Sequence, residues 1–187
     1  MRIYPTFFNI FFKGMDPEKA HHVGFWGVQT LRNVGITRAL RKYFQPAPEL
    51  ATTVMGITFP SPFGLAAGFD KGGKGIAALA GIGFGHVEIG TITGQAQPGN
   101  PQPRLFRLVE DKAVINRMGF NNDGAAAAGP RVAAARADLE TEYRGAVRPV
   151  IGVNIGKTKV VELENAIEDY LISTRTLAPQ ADYLVVN

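Results

Sequence analysis

Residues 65–75 read LAAGFDKGGKG, a stretch in which small residues, an acid and two lysines follow a short apolar run. This composition is typical of a chain whose backbone approaches a phosphate group or a flat cofactor. Gly68, Gly73 and Lys74 have the spacing of a phosphate-binding loop. That loop requires Ser or Thr directly after its lysine to bind Mg²⁺, whereas position 75 is Gly. The stretch therefore does not predict a nucleoside triphosphate site.

A strand-to-helix turn built on Ala66, Ala67 and Gly68 is the other interpretation of this stretch. Small side chains allow a planar ring to lie against the backbone, and Lys71 would place a cation at the edge of that ring. A reduced flavin carries negative charge at one edge, so a fixed lysine there would stabilise it. Packing of a helix on a strand, with Lys71 in solvent, explains the same residues equally well.

A second unusual stretch, NRMGFNNDG, spans residues 116–124. Asparagine amides offer paired donors and acceptors, and an arginine offers a fork for a carboxylate. These groups suit a small, planar, amide-rich acid. A Gly/Asn turn explains residues 121–124 but does not account for Asn116 and Arg117. The pattern therefore favours a substrate-binding loop.

Strand and helix patterns alternate along the body of the chain, which predicts a parallel sheet with crossover helices. The core strands are predicted at 63–67, 86–91, 149–154 and 183–187, and the helices at 76–79, after Pro130 and at 163–177. A short hairpin is predicted to turn at Gly56, and a longer one spans 104–117. Polar residues end three of the core strands: Thr91, Asn154 and Asn187. Parallel α/β folds keep their active sites at this edge of the sheet.

Residues 1–45 are predicted to form a helical extension, in which Asp16 caps a helix that begins at Pro17 and ends near Gly35. The segment before this helix carries too many large apolar side chains, at 7–12, for one small helix to bury on itself. These side chains fit docking onto the protein's own core or a partner subunit. They fit equally a monotopic membrane anchor, which the nearby basic residues would support.

Composition and charge exclude several classes of protein. The 187 residues contain no cysteine, which excludes disulfides, thiolate metal sites and a cysteine nucleophile. The net charge is +5 over residues 1–44 and −1 over the rest, so no protein-wide nucleic-acid surface is predicted. The adjacent His21 and His22 diverge by about 100° on a helix. No cluster of acids or histidines accompanies them at ligand spacing, and no metal site is predicted.

Together these motifs resemble the family 2 dihydroorotate dehydrogenases, which are membrane-associated and quinone-dependent. The stretches that carry the resemblance occur in the family's order: GLAAGFDKGG, GFGHVEIGTIT, PGNPQPRLFRL, INRMGFNNDG, GVNIGK and YLVVN. They run from about Gly56 to the last residue, and INRMGFNN is the most specific of them, because the cytosolic family 1 enzymes differ there. The basic, aromatic extension is similar to that of family 2.

The resemblance implies a (β/α)8 barrel that binds FMN at its carboxyl mouth, oxidises dihydroorotate to orotate in pyrimidine biosynthesis and passes electrons to a membrane quinone. It implies that FMN contacts Ala67, Gly68, Phe69, Asp70, Lys71, Thr91, Asn154 and Asn187. It implies that the substrate contacts Lys71, Asn116, Arg117, Met118, Gly119, Phe120 and Asn187. Residues 1–45 would form a quinone-access extension at the cytoplasmic face of a bacterial membrane, and residues 46–187 the first part of the barrel.

The sequence departs from the family pattern after Asn187. Family members continue there with a Ser-Pro-Asn segment whose serine is the catalytic base, so no catalytic residue is expected within the 187 residues. About four of the eight core strands are present, and four strands do not close a barrel. The chain alone is therefore expected to be inactive. Two alternatives remain: a family 1 or dihydropyrimidine-type flavin barrel oxidoreductase, and a non-catalytic half-barrel that serves as an interaction module.

Overall fold

The computed structural model describes residues 3–187, apart from the side chains at positions 3, 40 and 42. The chain begins with three helices, α1 (Ile3–Phe11), α2 (Pro17–Asn33) and α3 (Ile36–Phe44). The Asp16 carboxylate caps α2 by accepting a hydrogen bond from the Lys19 N–H at 2.9 Å. Gly35 adopts a left-handed conformation between α2 and α3, with φ of 80°. The predicted start and end of the long helix are therefore confirmed.

A short hairpin of β1 (Thr52–Val54) and β2 (Ile57–Phe59) precedes the first part of the barrel. That part consists of β3 (Gly64–Leu65), α4 (Ile76–Ala80) and β4 (His86–Thr93). The hairpin of β1 and β2 turns at Met55 and Gly56, as predicted. The strand predicted at 63–67 is shorter than expected, because only Gly64 and Leu65 pair with β4.

The second part of the barrel carries a longer hairpin before its helices. The elements are β5 (Leu105–Leu108), β6 (Ala113–Asn116), α5 (Ala125–Glu142), β7 (Val150–Gly156), α6 (Ala166–Leu177) and β8 (Tyr183–Val186). Strands β5 and β6 form the hairpin predicted over 104–117.

The helix predicted after Pro130 is present, but it starts earlier than predicted: α5 begins at Ala125 and contains this proline. A proline inside a helix removes one hydrogen bond, here the bond to the carbonyl of Ala126. Both residues are exposed, so water can satisfy that carbonyl.

The central sheet is parallel, and its strand order is β3-β4-β7-β8. Its outer face packs against α4, α5 and α6 around a fully buried apolar core. The largest buried side chains of this core include Leu79, Ile89, Leu139, Ile151 and Leu177. Within residues 3–187, β3 and β8 each pair with one strand only, so both edges of the sheet are open. This arrangement is the first half of a (β/α)8 barrel, and the predicted fold class is confirmed.

Ion pairs attach the helical extension to the half-barrel. Arg32 on α2 is buried and bonds the Glu142 carboxylate at the end of α5 at 2.6 Å. Nearer the start of α2, Glu18 pairs with Arg104, which immediately precedes β5, at 2.6 Å. Several large apolar side chains of the extension remain exposed. Across residues 3–187, no helix combines the length and the apolar character that a membrane crossing requires.

Candidate functional site

A cavity of about 680 Å³ opens at the carboxyl ends of the four parallel strands. It brings together most of the residues that the sequence predicted for the cofactor and the substrate: Ala67, Gly68, Lys71, Thr91, Asn116, Arg117, Met118, Gly119, Phe120, Asn154 and Asn187. Four further residues line it: Ala66, Glu88, Gly90 and Asn100. Residues up to 121 positions apart in sequence thus share one site, because parallel strands deliver their carboxyl ends to the same edge.

Two glycines, Gly68 and Gly90, form the backbone on one side of the cavity. Any other residue at either position would strain the backbone. The Gly68 N–H donates to the Gly90 carbonyl at 2.8 Å, which joins the turn after β3 to β4. Gly68 has φ of 105° and Gly90 has φ of 118°, both unfavourable for residues with a Cβ. A Cβ on Gly90 would lie 2.4 Å from the Asn154 carbonyl, whereas a Cβ on Gly68 would meet nothing within 4 Å. Gly68 therefore leaves open space beside the backbone.

Lys71 is half-buried beside the cavity and is held by two acceptors. Its ammonium donates to Asn121 Oδ1 at 2.8 Å and to Met118 Sδ at 3.0 Å. Burial, and next the nearby charge of Arg104, lower the pKa of Lys71 below its ordinary value. The interpretation in which Lys71 is merely solvated does not fit this position.

The structure places the side chains of two predicted cofactor residues outside the cavity. The Phe69 ring packs edge-on against His21 and Phe25 of α2, with centroids 4.7 and 5.7 Å away. The buried Asp70 carboxylate accepts hydrogen bonds from the backbone N–H groups of Lys74 and Gly75, at 3.0 and 2.8 Å. Asp70 thus shapes the glycine-rich loop, and neither Phe69 nor Asp70 lines this cavity.

The loop after β6 is fixed by hydrogen bonds to its own backbone. Asn116 Oδ1 accepts from the Met118 N–H at 2.9 Å. Asn100 bonds the loop from the other side, because its side-chain amide donates to the Arg117 carbonyl at 2.7 Å and its N–H to the Met118 carbonyl at 2.9 Å. Asn122 serves the turn itself by accepting from the Gly124 N–H at 2.8 Å. The loop therefore presents Asn116 and Arg117 from a rigid frame.

Side chains from three neighbouring strands meet at one wall of the cavity. Thr91 Oγ1 donates to Asn154 Oδ1 at 2.7 Å, and Asn187 Nδ2 donates to Thr91 Oγ1 at 3.2 Å. Asn154 and Thr91 are buried and Asn187 is exposed at the rim. The three side chains of the wall thus form one connected series of hydrogen bonds.

Sequence reasoning missed Glu88, whose carboxylate lies below this wall. The signal was present in the alternation of β4: Val87 and Ile89 are fully buried against the helices, so His86 and Glu88 point into the barrel. A charged residue on the inner face of a core strand is unusual and indicates a role. Gly90 and Asn100 were also missed, and their roles depend on contacts that only the fold creates.

A smaller cavity of about 350 Å³ separates α2 from the glycine-rich loop. His21 lines it, and burial, followed by the charges of His22 and Lys71, lowers the pKa of His21. The ring stacks parallel to Phe25 at 6.0 Å. His21 thus packs against the half-barrel, while His22 is exposed. Among the described residues, no group of three or more acids or histidines is arranged to hold a metal ion.

The parallel half-barrel and the polar cavity at its carboxyl edge are features of the α/β barrel class, whose active sites lie at that edge. The chain belongs to the dihydroorotate dehydrogenase family, since residues 49–187 match the family profile described as Dihydroorotate dehydrogenase. This family is flavin-dependent in general. The match confirms the resemblance found in the sequence.

Curated relatives extend the similarity to the helical extension. Over all 187 residues the chain is 70% identical to a protein of Pseudarthrobacter chlorophenolicus and 68% identical to one of Arthrobacter sp., both named Dihydroorotate dehydrogenase (quinone). The chain covers 52% of the length of each relative. It therefore spans about half the length of the curated relatives that it matches.

Solved structures show the same fold. The DHODH of Eimeria tenella in complex with ferulenol superposes with a TM-score of 0.76 at 40% identity, over 92% of this chain and 43% of that one. The ligand-free form of the Eimeria protein gives a TM-score of 0.74 at 38% identity, over 92% of this chain and 45% of that one.

Proposed function

We propose that the protein acts as a quinone-dependent dihydroorotate dehydrogenase whose FMN and substrate share the cavity at the carboxyl edge of the sheet. The observation that carries the proposal is the convergence of the turn after β3, the loop after β6 and the polar wall of Thr91, Asn154 and Asn187 on one cavity. The names of the full-length relatives support the choice of reaction and acceptor.

The residues present fit a flavin. The open space beside Ala67 and Gly68 accommodates a flat ring against the backbone. Polar groups around it, the Lys71 ammonium and the Asn154 and Asn187 amides, suit a heterocycle with carbonyl and ring-nitrogen edges. FMN bound there would supply the two-electron acceptor for the oxidation. The described residues would thus hold and orient the ring.

The loop after β6 would hold the substrate. Dihydroorotate is a small cyclic carboxylate with amide groups in its ring, and Asn116 with Arg117 offers a side-chain amide and a cationic fork. Lys71 lies between this loop and the proposed flavin position, so one ammonium would serve both ligands. Oxidation to orotate releases two electrons and two protons, and reduction of a quinone to a quinol consumes the same number. The proposed base, a serine after Asn187 in the family pattern, is not among these residues.

The helical extension would meet the membrane in which the quinone dissolves. Large apolar side chains of α1 and α2 are exposed, among them Tyr4 (71%), Phe11 (58%) and Trp26 (67%). Aromatic residues beside basic ones bind the membrane interface. The proposed location is the cytoplasmic face of a bacterial membrane, with contact through residues 1–45. Co-sedimentation with anionic vesicles tests this contact, and its persistence in a Phe11→Ser, Trp26→Ser double variant would contradict it.

A panel of electron acceptors tests the proposed reaction. The gene product that contains these residues, at its natural length, is assayed for dihydroorotate oxidation with a soluble quinone, with fumarate and with NAD. The proposal predicts rapid turnover with the quinone alone. A strict preference for fumarate or NAD would instead place the protein with the other flavin barrel enzymes. The 187 residues by themselves are expected not to turn over, since both edges of the half-barrel sheet are open.

A further inference from the structure

Glu88 is a carboxylate inside the barrel that the proposed reaction does not use. It points from the inner face of β4 and lines the lower part of the cavity. Its Oε1 accepts a hydrogen bond from Asn154 Nδ2 at 3.2 Å, and its Oε2 accepts one from the Tyr183 hydroxyl at 3.1 Å. Burial, and then the charge of Glu88, raise the pKa of Tyr183, so this hydroxyl remains a donor at neutral pH.

The hydrogen bonds above Glu88 all run in one direction. Asn187 donates to Thr91, Thr91 donates its single hydroxyl proton to Asn154, and Asn154 donates to Glu88. An ionised carboxylate only accepts hydrogen bonds, so Glu88 is the terminal acceptor of the series. A flipped Asn154 amide would set its oxygen against the carboxylate, whereas the Thr91 hydroxyl could rotate and accept from the flipped NH₂. Glu88 therefore determines which way the Asn154 amide faces.

The direction of these hydrogen bonds also fixes the orientation of Asn187 at the rim of the cavity. Thr91 has used its proton on Asn154, so its oxygen can only accept, and Asn187 must offer its NH₂ to it. The Oδ1 of Asn187 is then left as an acceptor at the exposed rim. A ligand that places a ring N–H beside Asn187 is favoured, and one that places a carbonyl there is disfavoured.

We propose that Glu88 is a positioning residue, which acts through Asn154 and Thr91 to set the pattern of donors and acceptors that the cavity wall presents to a flavin and to a cyclic amide substrate. The inference rests on the proposed function for the identity of the ligands. What matters in this role is the reach of the acceptor oxygen to Asn154. A glutamine at the same place has the same reach, but its NH₂ group could also donate to a flipped Asn154 amide, so it would lower the population of the correct orientation by about twofold at most.

Two conservative variants distinguish the length of the Glu88 side chain from its negative charge. Glu88→Gln loses the charge but keeps an oxygen for Asn154, while its NH₂ can donate to Tyr183 after the hydroxyl rotates. Glu88→Asp keeps the charge but is one methylene shorter, which withdraws the oxygen from Asn154. Both are made in the natural-length gene product, and the dissociation constant of FMN is measured by titrating the apoprotein and following flavin fluorescence. Loss of one hydrogen bond to an oriented amide corresponds to roughly a tenfold change.

The expected result is an FMN dissociation constant about tenfold higher for Glu88→Asp and within about twofold of the unsubstituted protein for Glu88→Gln. Tyr183→Phe, which removes only the other donor to Glu88, is the matched control and is expected to bind FMN normally. Combining Glu88→Asp with Asn154→Ala should add nothing to the effect of Asn154→Ala, because Glu88 acts through this amide. A circular dichroism spectrum of each variant checks the fold.

Three outcomes would overturn the proposal: normal FMN binding by Glu88→Asp, weak binding by Glu88→Gln alone, or additive effects of Glu88→Asp and Asn154→Ala. Misfolding of Glu88→Asp, with Glu88→Gln folded, would also overturn it by assigning Glu88 a role in folding. If the unsubstituted protein itself does not bind FMN, the proposed function fails, and this inference fails with it. The two failures are thus distinguishable in one series of titrations.

Discussion

The Glu18 carboxylate of α2 and the Arg104 guanidinium before β5 form a buried, two-pronged ion pair, with Nη2 to Oε1 at 2.6 Å and Nε to Oε2 at 3.1 Å. The remaining Arg104 nitrogen donates to the carbonyls of Pro98 and Asn100 at 2.7 and 2.9 Å. Asn100 in turn bonds the loop that carries Arg117. One arginine thus connects the helical extension to the proposed substrate loop.

Glu18→Gln should weaken both the attachment of the extension and the proposed substrate loop. The variant leaves the Arg104 charge without its counter-ion, so we expect the free energy of unfolding to fall by roughly 1–3 kcal/mol. The KM for dihydroorotate should rise, because Arg104 also holds Asn100. Urea unfolding and steady-state kinetics on the natural-length gene product measure the two effects.

The matched control for Glu18→Gln is Glu168→Gln, which removes an exposed pair with Arg175 at 3.0 Å. Exposed ion pairs contribute about 0–1 kcal/mol, so the control should stay close to the unsubstituted protein. Equal effects of the two variants would show that the buried pair has no special role.

Lys71 and Lys74 lie three residues apart, and the proposed function assigns a role in catalysis to Lys71 only. Lys71 lines the cavity, whereas Lys74 is exposed and pairs with Asp123 at 2.9 Å. Replacing Lys71 with Met should lower kcat/KM for dihydroorotate by roughly 10- to 100-fold, the value of a hydrogen bond from a charged group. Lys74→Met should change it by less than about twofold. Comparable losses in both variants would refute the assignment of Lys71.

The Asp182 carboxylate is expected to make the stability of the fold sensitive to acid. Burial opposes its ionisation, but hydrogen bonds from Arg148 and from the Ile151 N–H outweigh burial and lower the pKa of Asp182 below its ordinary value of 3.8. The pKa of Asp182 is lower in the folded state than in the unfolded state. The ionised carboxylate therefore stabilises the fold at pH values above the ordinary pKa of 3.8. This stability is lost as the pH falls through the folded-state pKa.

Asp182→Asn should therefore be less stable than the unsubstituted protein near neutral pH, and the difference should shrink below about pH 4. Urea unfolding at several pH values gives the difference directly. A gap between the two proteins that stays constant with pH would mean that the charge of Asp182 does not contribute.

Comparing Gly68→Ala with Gly145→Ala distinguishes the effect of backbone strain from the effect of filling the space that the flavin would occupy. Both glycines have positive φ, 105° and 81°, and a Cβ on either meets nothing within 4 Å. Each substitution should cost about 1–3 kcal/mol of stability through strain. Only Gly68 lines the cavity, so only Gly68→Ala should reduce the flavin content of the purified protein. Normal flavin content in Gly68→Ala would show that the ring does not lie against this turn.

The sheet could be predicted from the sequence because apolar strands and helical patterns alternate and end in polar residues such as Asn154. The start of α5 could not, because Pro130 is usually a signal that a helix begins or ends. The helix tolerates Pro130 because Ala126, whose carbonyl loses its hydrogen bond, is exposed to water, and the sequence does not reveal this exposure.

The candidate site was predictable to the extent that its loops follow strands. The motif around Lys71 identified the right turn, but neighbouring side chains in a turn point in different directions. Phe69 therefore faces α2, and Asp70 binds its own loop. Glu88 required knowledge of which face of β4 lies inside the barrel, and that depends on the packing of the helices on the other face.

Reduction of the bound flavin by the proposed substrate, without any external acceptor, tests the central claim most directly. The gene product is purified at its natural length, mixed anaerobically with dihydroorotate, and followed by its visible absorbance. We expect stoichiometric FMN, bleaching of its absorbance by dihydroorotate but not by NADH, and recovery on addition of a soluble quinone. A protein that carries no flavin, or a bound flavin that stays oxidised with dihydroorotate, would contradict the account.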